Sequence, residues 1–118
     1  MAQEIGQPSV RIKKVNRLIQ EELGKIIQEE VELPRNVLVT ITGVDTSVDV
    51  RHAKIKVSVI PKEKTEQVLK ILEDNIFELQ QILNKRLVLR YVPKVRFVID
   101  KSQEKVERIE KLLKQNVE

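Results

Sequence analysis

The sequence predicts an α+β domain of two layers, amphipathic helices packed on one face of a small sheet. Three observations carry this prediction. Apolar residues recur every three or four positions from Val10 to Gln28 and again from Thr65 to Leu87, they alternate with others from Val50 to Ile60 and from Val95 to Ile99, and the 118 residues are the length of one domain. A chain of this length buries roughly 60 to 70% of its unfolded surface, enough for one core without disulfide or metal support.

In the first segment Ile12, Val15, Ile19, Leu23 and Ile26 are spaced 3, 4, 4 and 3, with Ser9 placed as N-cap. Gly24 costs this helix about 1 kcal/mol relative to Ala. Glu29, Glu30 and Glu32, followed by Pro34, bring it to a close, and a loop runs roughly from Glu30 to Asn36. Val37 to Val44 is β-branched and apolar, the composition of a strand. Over Val50 to Ile60, Arg51, Ala53, Ile55, Val57 and Val59 fall on one side and His52, Lys54, Lys56 and Ser58 on the other. The turn-forming run Asp45, Thr46, Ser47, Val48 and Asp49 between them makes an antiparallel hairpin the economical reading.

Pro61 ends the second strand. Val68, Leu72, Ile76, Leu79, Leu83 and Leu87 then follow at spacings of 4, 4, 3, 4 and 4 with no Gly or Pro between them, so periodicity alone predicts one long helix. Pro93, tolerated where a strand begins, opens a third strand with Val95, Phe97 and Ile99 on its apolar side. The expected core comprises Val15, Ile19, Ile41, Ile55, Val57, Leu72, Leu79, Leu83, Val95 and Phe97, and Phe77 is expected there too. Residues 1–9 read as a flexible, polar N-terminus and residues 10–100 as the domain. Residues 101–118 read as a tail, with Val106, Ile109, Leu112 or Leu113, and Val117 at helical spacing and Ser102 as a possible cap.

Composition excludes several function classes. There is no Cys, and His52 is the single histidine, so disulfides, thiolate metal sites and multi-histidine sites are ruled out and no cofactor is expected. The cysteine-free composition suits a reducing cytoplasm. No apolar run approaches the roughly 20 residues of a membrane span, and Met1 to Ser9 lacks the apolar core of a signal peptide, so a soluble protein is expected. Ser9, Ser47, Ser58 and Ser102 stand in no Gly-rich elbow, Gly6, Gly24 and Gly43 are isolated, and Asp45 with Asp49 reads as turn hydrogen bonding. An enzyme is therefore not expected.

Charge is the informative feature. From Leu79 to Ile99 there is no acidic residue and there are five basic ones, Lys85, Arg86, Arg90, Lys94 and Arg96; this window's +5 exceeds the chain's net +4, leaving −1 for the remainder. A localised positive patch is how a polyphosphate-binding surface looks. Lys54 and Lys56 of the second strand and Arg11, Lys13, Lys14 and Arg17 of the first helix form two further basic segments; the sequence leaves open whether the three share one face. Phe77, Tyr91 and Phe97 are the only aromatic residues, too few for a platform that stacks single-stranded bases. Tyr91, beside Arg90, is the one candidate stacker, and reads more naturally as a wall residue. What remains is recognition of phosphate, 2′-hydroxyl and shape in folded RNA, with Arg supplying bidentate contacts. The alternative is an adaptor whose basic surface meets an acidic protein partner.

The hairpin Thr40 to Val59 with Val44, Ser47, Asp49 and Ala53, followed by Leu89, Arg90, Val92, Pro93, Phe97 and Asp100, resembles ribosome-binding factor A. The resemblance covers roughly Val10 to Ser102, including Arg17, Ile19, Leu23, Ile26 and Ile27 of the first helix and Pro34 and Arg35 after it. It implies a type II KH-like fold of order α-β-β-α-α-β, with a three-stranded sheet carrying its helices on one face. It also implies a monomeric, non-enzymatic, cytoplasmic factor that binds free 30S subunits and assists 16S rRNA maturation. Members of that family lack the glycine-bearing loop with which KH domains clamp nucleic-acid backbone, and many carry an Ala-x-Gly kink between the second and third helices. Asn75, Ile76 and Phe77 stand there in this chain. The family thus implies two helices meeting near Asn75 where periodicity implies one, and two are expected.

Overall fold

Ser9 caps the first helix as its position predicts: its side-chain oxygen accepts from the Ile12 amide at 3.2 Å. The computed structural model describes residues 9–102; the expectations for residues 1–8 and 103–118 lie outside them. Helix α1 (Val10–Glu30) is followed by β1 (Leu38–Thr46), β2 (His52–Ile60), a 3₁₀ turn at Lys62–Lys64, α2 (Thr65–Asp74), α3 (Ile76–Arg86) and β3 (Lys94–Ile99). This is the expected α-β-β-α-α-β order, with the sheet ordered β1-β2-β3. β1 and β2 are antiparallel, with a register shift between Ile41 and Gly43. β3 runs parallel to β2, pairing His52 with Lys94, Lys54 with Arg96 and Lys56 with Val98.

The alternation in β2 sends Ala53, Ile55, Val57 and Val59 to one face, where they are buried with Val95 and Phe97 against Ile19, Leu23 and Ile26 of α1, Val68 and Leu72 of α2, and Leu79 and Leu83 of α3. All three helices therefore cover one sheet face, as expected for two layers. The predicted core residues are buried except Phe77 and Ile41, the latter half-buried on β1. Phe77 corrects a prediction. It is 73% exposed, since it lies about 200° around α3 from the buried Leu79.

Two boundaries also differ from the sequence reading. The hairpin turn occupies Ser47 to Arg51, two residues later than predicted. Its geometry is fixed by the Ser47 amide on the His52 carbonyl at 2.8 Å, the Val50 amide on the Ser47 carbonyl at 2.9 Å, and a positive φ of 59° at Val50. The long periodic segment breaks at Asn75. There the backbone amide bonds the Ile71 carbonyl at 3.1 Å and the side-chain Nδ2 donates to the same oxygen at 2.7 Å. Asn75 thus satisfies the end of α2 locally, and α3 starts afresh with the Leu79 amide on the Asn75 carbonyl at 3.0 Å. The expectation of two helices holds without a glycine.

Candidate nucleic-acid interface

Because side chains alternate across a strand, the residues that complement the buried set of β2 and β3 face outward on the side that none of the described helices covers. His52, Lys54 and Lys56 of β2 and Lys94 and Arg96 of β3 are all exposed. The parallel register sets them in transverse rows: His52 beside Lys94, and Lys54 between Asp45 of β1 and Arg96 of β3. Neighbouring strands lie roughly 4.8 Å apart, and alternate residues along a strand roughly 6.6 Å apart, so the four cations form a tight grid. A shallow depression at the hairpin end is lined by Asp45, Ser47, His52, Lys54, Lys94 and Arg96. Asp45 is the only carboxylate in the rows, and none of these cations forms an ion pair with another described residue.

Two polar side chains of α1 fix the edge of this platform. Asn16 Oδ1 accepts from the Thr46 amide at 3.1 Å, and Gln20 Nε2 donates to the Ile41 carbonyl at 3.0 Å. At the opposite edge Gln80 of α3 donates to the Pro93 carbonyl at 3.1 Å and accepts from the Val95 amide at 2.9 Å. Lys94 is thereby held from both sides, and its own amide bonds the Arg51 carbonyl at 2.8 Å. The sequence reading missed these three residues. The available signal was their position, polar residues directly flanking the apolar stripes of α1 and α3.

The remaining predicted site residues separate. Asn16 ties α1 to Thr46, the partner of Ala53, so the exposed Arg11 and Lys14 in the first turns of α1 reach the same end of the molecule as Lys54 and Lys94. Arg90 is exposed in the loop before β3. Lys85 and Arg86 stand in the last turn of α3, on the helix layer. Arg86 has partners there: Nη2 lies 2.6 Å from Glu29 Oε2 and Nη1 3.8 Å from Glu22 Oε2. The Glu29 hydrogen bond raises the Arg86 pKa above its ordinary value, and its charge is spent clamping α3 to α1. Tyr91 is 72% exposed in the same loop as Arg90.

Asp49 and Asp100 play structural parts. Asp49 Oδ1 accepts from Ser47 Oγ at 2.6 Å and from the Arg51 amide at 3.2 Å, and the Ser47 bond, then the Arg51 bond, hold its pKa below the ordinary value. Asp100 Oδ1 accepts from the Ser102 hydroxyl and from its amide at 2.9 Å; the Ser102 hydroxyl, with Thr42 next, lowers the Asp100 pKa to about 2. No cluster of three or more potential metal ligands occurs among the described residues, and no described helix is long and apolar enough to cross a membrane.

Comparison with known proteins agrees with this architecture. The family model described as ribosome-binding factor A matches residues 11–113. The chain is 37% identical over 115 residues to ribosome-binding factor A of Nitrosococcus oceani, covering 97% of this chain and 91% of that protein. It is 45% identical over 102 residues to that of Natranaerobius thermophilus, covering 82% and 78%. Among solved structures, the crystal structure of ribosome-binding factor A from Thermus thermophilus superimposes with a TM-score of 0.64 at 25% identity, covering 74% of this chain and 93% of that one. A Thermus thermophilus homology model, fitted into a cryo-EM map of a complex of that factor with the 30S subunit, gives 0.62 at 26% identity, covering 73% and 91%. With the family model spanning residues 11–113 and a relative 37% identical over 91% of its own length, this chain belongs to the ribosome-binding factor A family.

Proposed function

We propose that this protein is a non-enzymatic factor that binds the free 30S subunit in the cytoplasm as a monomer. Its outer sheet face, with Lys54, Lys56, Lys94 and Arg96, lies against rRNA phosphates and assists maturation of 16S rRNA. The observation that carries the reading is the parallel register of β3 on β2, which gathers two basic segments far apart in sequence into one grid. Arg11 and Lys14 extend that positive end, and Arg90 and Lys85 supply further contacts from the loop and helix layer. Arg86 is a weaker candidate because Glu29 and Glu22 already engage it. The fitted complex of the Thermus thermophilus relative supports the choice of partner. Without an aromatic platform on the face, binding rests on phosphate, 2′-hydroxyl and shape.

The test is co-sedimentation with purified 30S subunits. The parent protein sediments with free subunits in preference to translating ribosomes, and nuclease treatment of the particles releases it. Lys54→Glu with Arg96→Glu lowers affinity by at least about tenfold, and fails to relieve the precursor 16S rRNA that accumulates in cells lacking the protein. Retention after complete rRNA digestion would favour the adaptor reading, in which an acidic protein is the partner. Normal binding by a folded double variant would overturn the interface.

A further inference from the structure

We propose that the α2–α3 junction is a second docking surface, one that takes an arginine-bearing segment of a protein against the exposed ring of Phe77. The ring is 73% exposed although α3 supplies the core with Leu79 and Leu83, because it stands on the solvent side of that helix. The break at Asn75 brings the end of α2 and the start of α3 together there, and with them the exposed carboxylates of Glu73, Asp74 and Glu78. None of the three forms an ion pair with a described residue, and the chain has no basic residue between Lys70 and Lys85.

These features select the occupant. An accessible aromatic face attracts a cation, most often a guanidinium, and neighbouring carboxylates supply acceptors that match its fork of N–H donors. Phosphate is repelled by the same carboxylates, so the surface does not extend the RNA-binding face; it lies on the helix layer, across the core from Lys54 and Lys94. The two surfaces can be occupied at once. A protein that holds RNA on one side would then hold an arginine-bearing protein segment on the other.

The test uses the isolated protein and does not depend on ribosome binding. Titrating the ¹⁵N-labelled chain with the hexapeptide acetyl-Ala-Arg-Ala-Ala-Arg-Ala-amide should shift the amides of Glu73 to Glu78 at the lowest peptide concentrations. The citrulline version of the peptide, neutral but of the same shape, should leave them in place. Phe77→Ala keeps every carboxylate and should raise the half-saturating concentration at least fivefold, with an unchanged melting midpoint. A short RNA hairpin should shift the amides around Lys54, Lys94 and Arg96 and not those around Phe77. The proposal is overturned by any of four results: equal shifts at the acidic end of α1, a half-saturation indifferent to Phe77→Ala, a lowered midpoint in that variant, or RNA-induced shifts at Phe77.

Discussion

Ala53 and Lys54 are covalent neighbours with opposite fates: one is 1% exposed under the helices, the other stands on the open face. The alternation that separates them separates the outward from the buried residues of β2 and β3, so it yields a direct contrast. Phe97→Ala removes a side chain that is 6% exposed and should cost about 3 to 5 kcal/mol in a denaturant titration. Lys56→Ala, on the outer side of the neighbouring strand, should stay within about 0.5 kcal/mol. Equal costs would mean that the strand phase is wrong. A second prediction concerns Asp100, whose carboxyl is held at about 2 against the ordinary 3.8. A depressed carboxyl stabilises the fold above its unfolded value and loses that contribution as acid protonates it, here from about pH 4 down through pH 2. Carbon-detected NMR should place the Asp100 midpoint near 2, and Ser102→Ala should move it up toward 3.8.

Elements show where sequence legibility ends. Periodicity located α1, β2 and both halves of the long helical segment because burial on one face imposes it, and the capping chemistry of Ser9 marked its own helix. It could not reveal the break at Asn75, since a side chain that caps a carbonyl one turn back leaves the apolar spacing unchanged. That expectation came from the family resemblance. Nor could the pattern show that β3 lies parallel beside β2, because alternation is the same for either direction of pairing; the meeting of Lys54 with Arg96 was therefore invisible until the register was known. Phe77 was misplaced for a related reason, as an aromatic residue beside Ile76 reads as core unless the helix phase is fixed. Gln80 gives this scale its prediction. It satisfies the amide of the buried Val95 and the carbonyl of Pro93, so Gln80→Ala should cost about 1 to 3 kcal/mol and remove the hydrogen-exchange protection of the Val95 amide. It should also weaken 30S binding modestly, since Lys94 loses its support from α3.

For the whole molecule the question is whether binding follows net charge or the place where charge stands. A net +4 on 118 residues is small, and a general attraction of that size fades beyond a Debye length of roughly 8 Å at physiological salt. A grid of four cations on one face of the sheet acts at contact, where each phosphate neutralised adds roughly 0.7 to 0.9 to the slope of log affinity against log salt. Two double variants with the same overall charge separate these cases. Lys54→Glu with Arg96→Glu and Arg35→Glu with Lys64→Glu each bring the formal charge from +4 to 0, the first pair on the sheet face and the second on the turn before β1 and the 3₁₀ turn before α2. The sheet-face pair should lower affinity for 30S subunits by at least about tenfold and flatten the salt slope by roughly 1 to 2, whereas the control pair should change both by far less. Arg86→Glu does not belong in this comparison, because it would set a third carboxylate beside Glu22 and Glu29 and loosen the hold of α3 on α1. If the control pair weakens binding as much as the sheet-face pair, the subunit is sensing the charge of the whole chain and the grid has no privileged role.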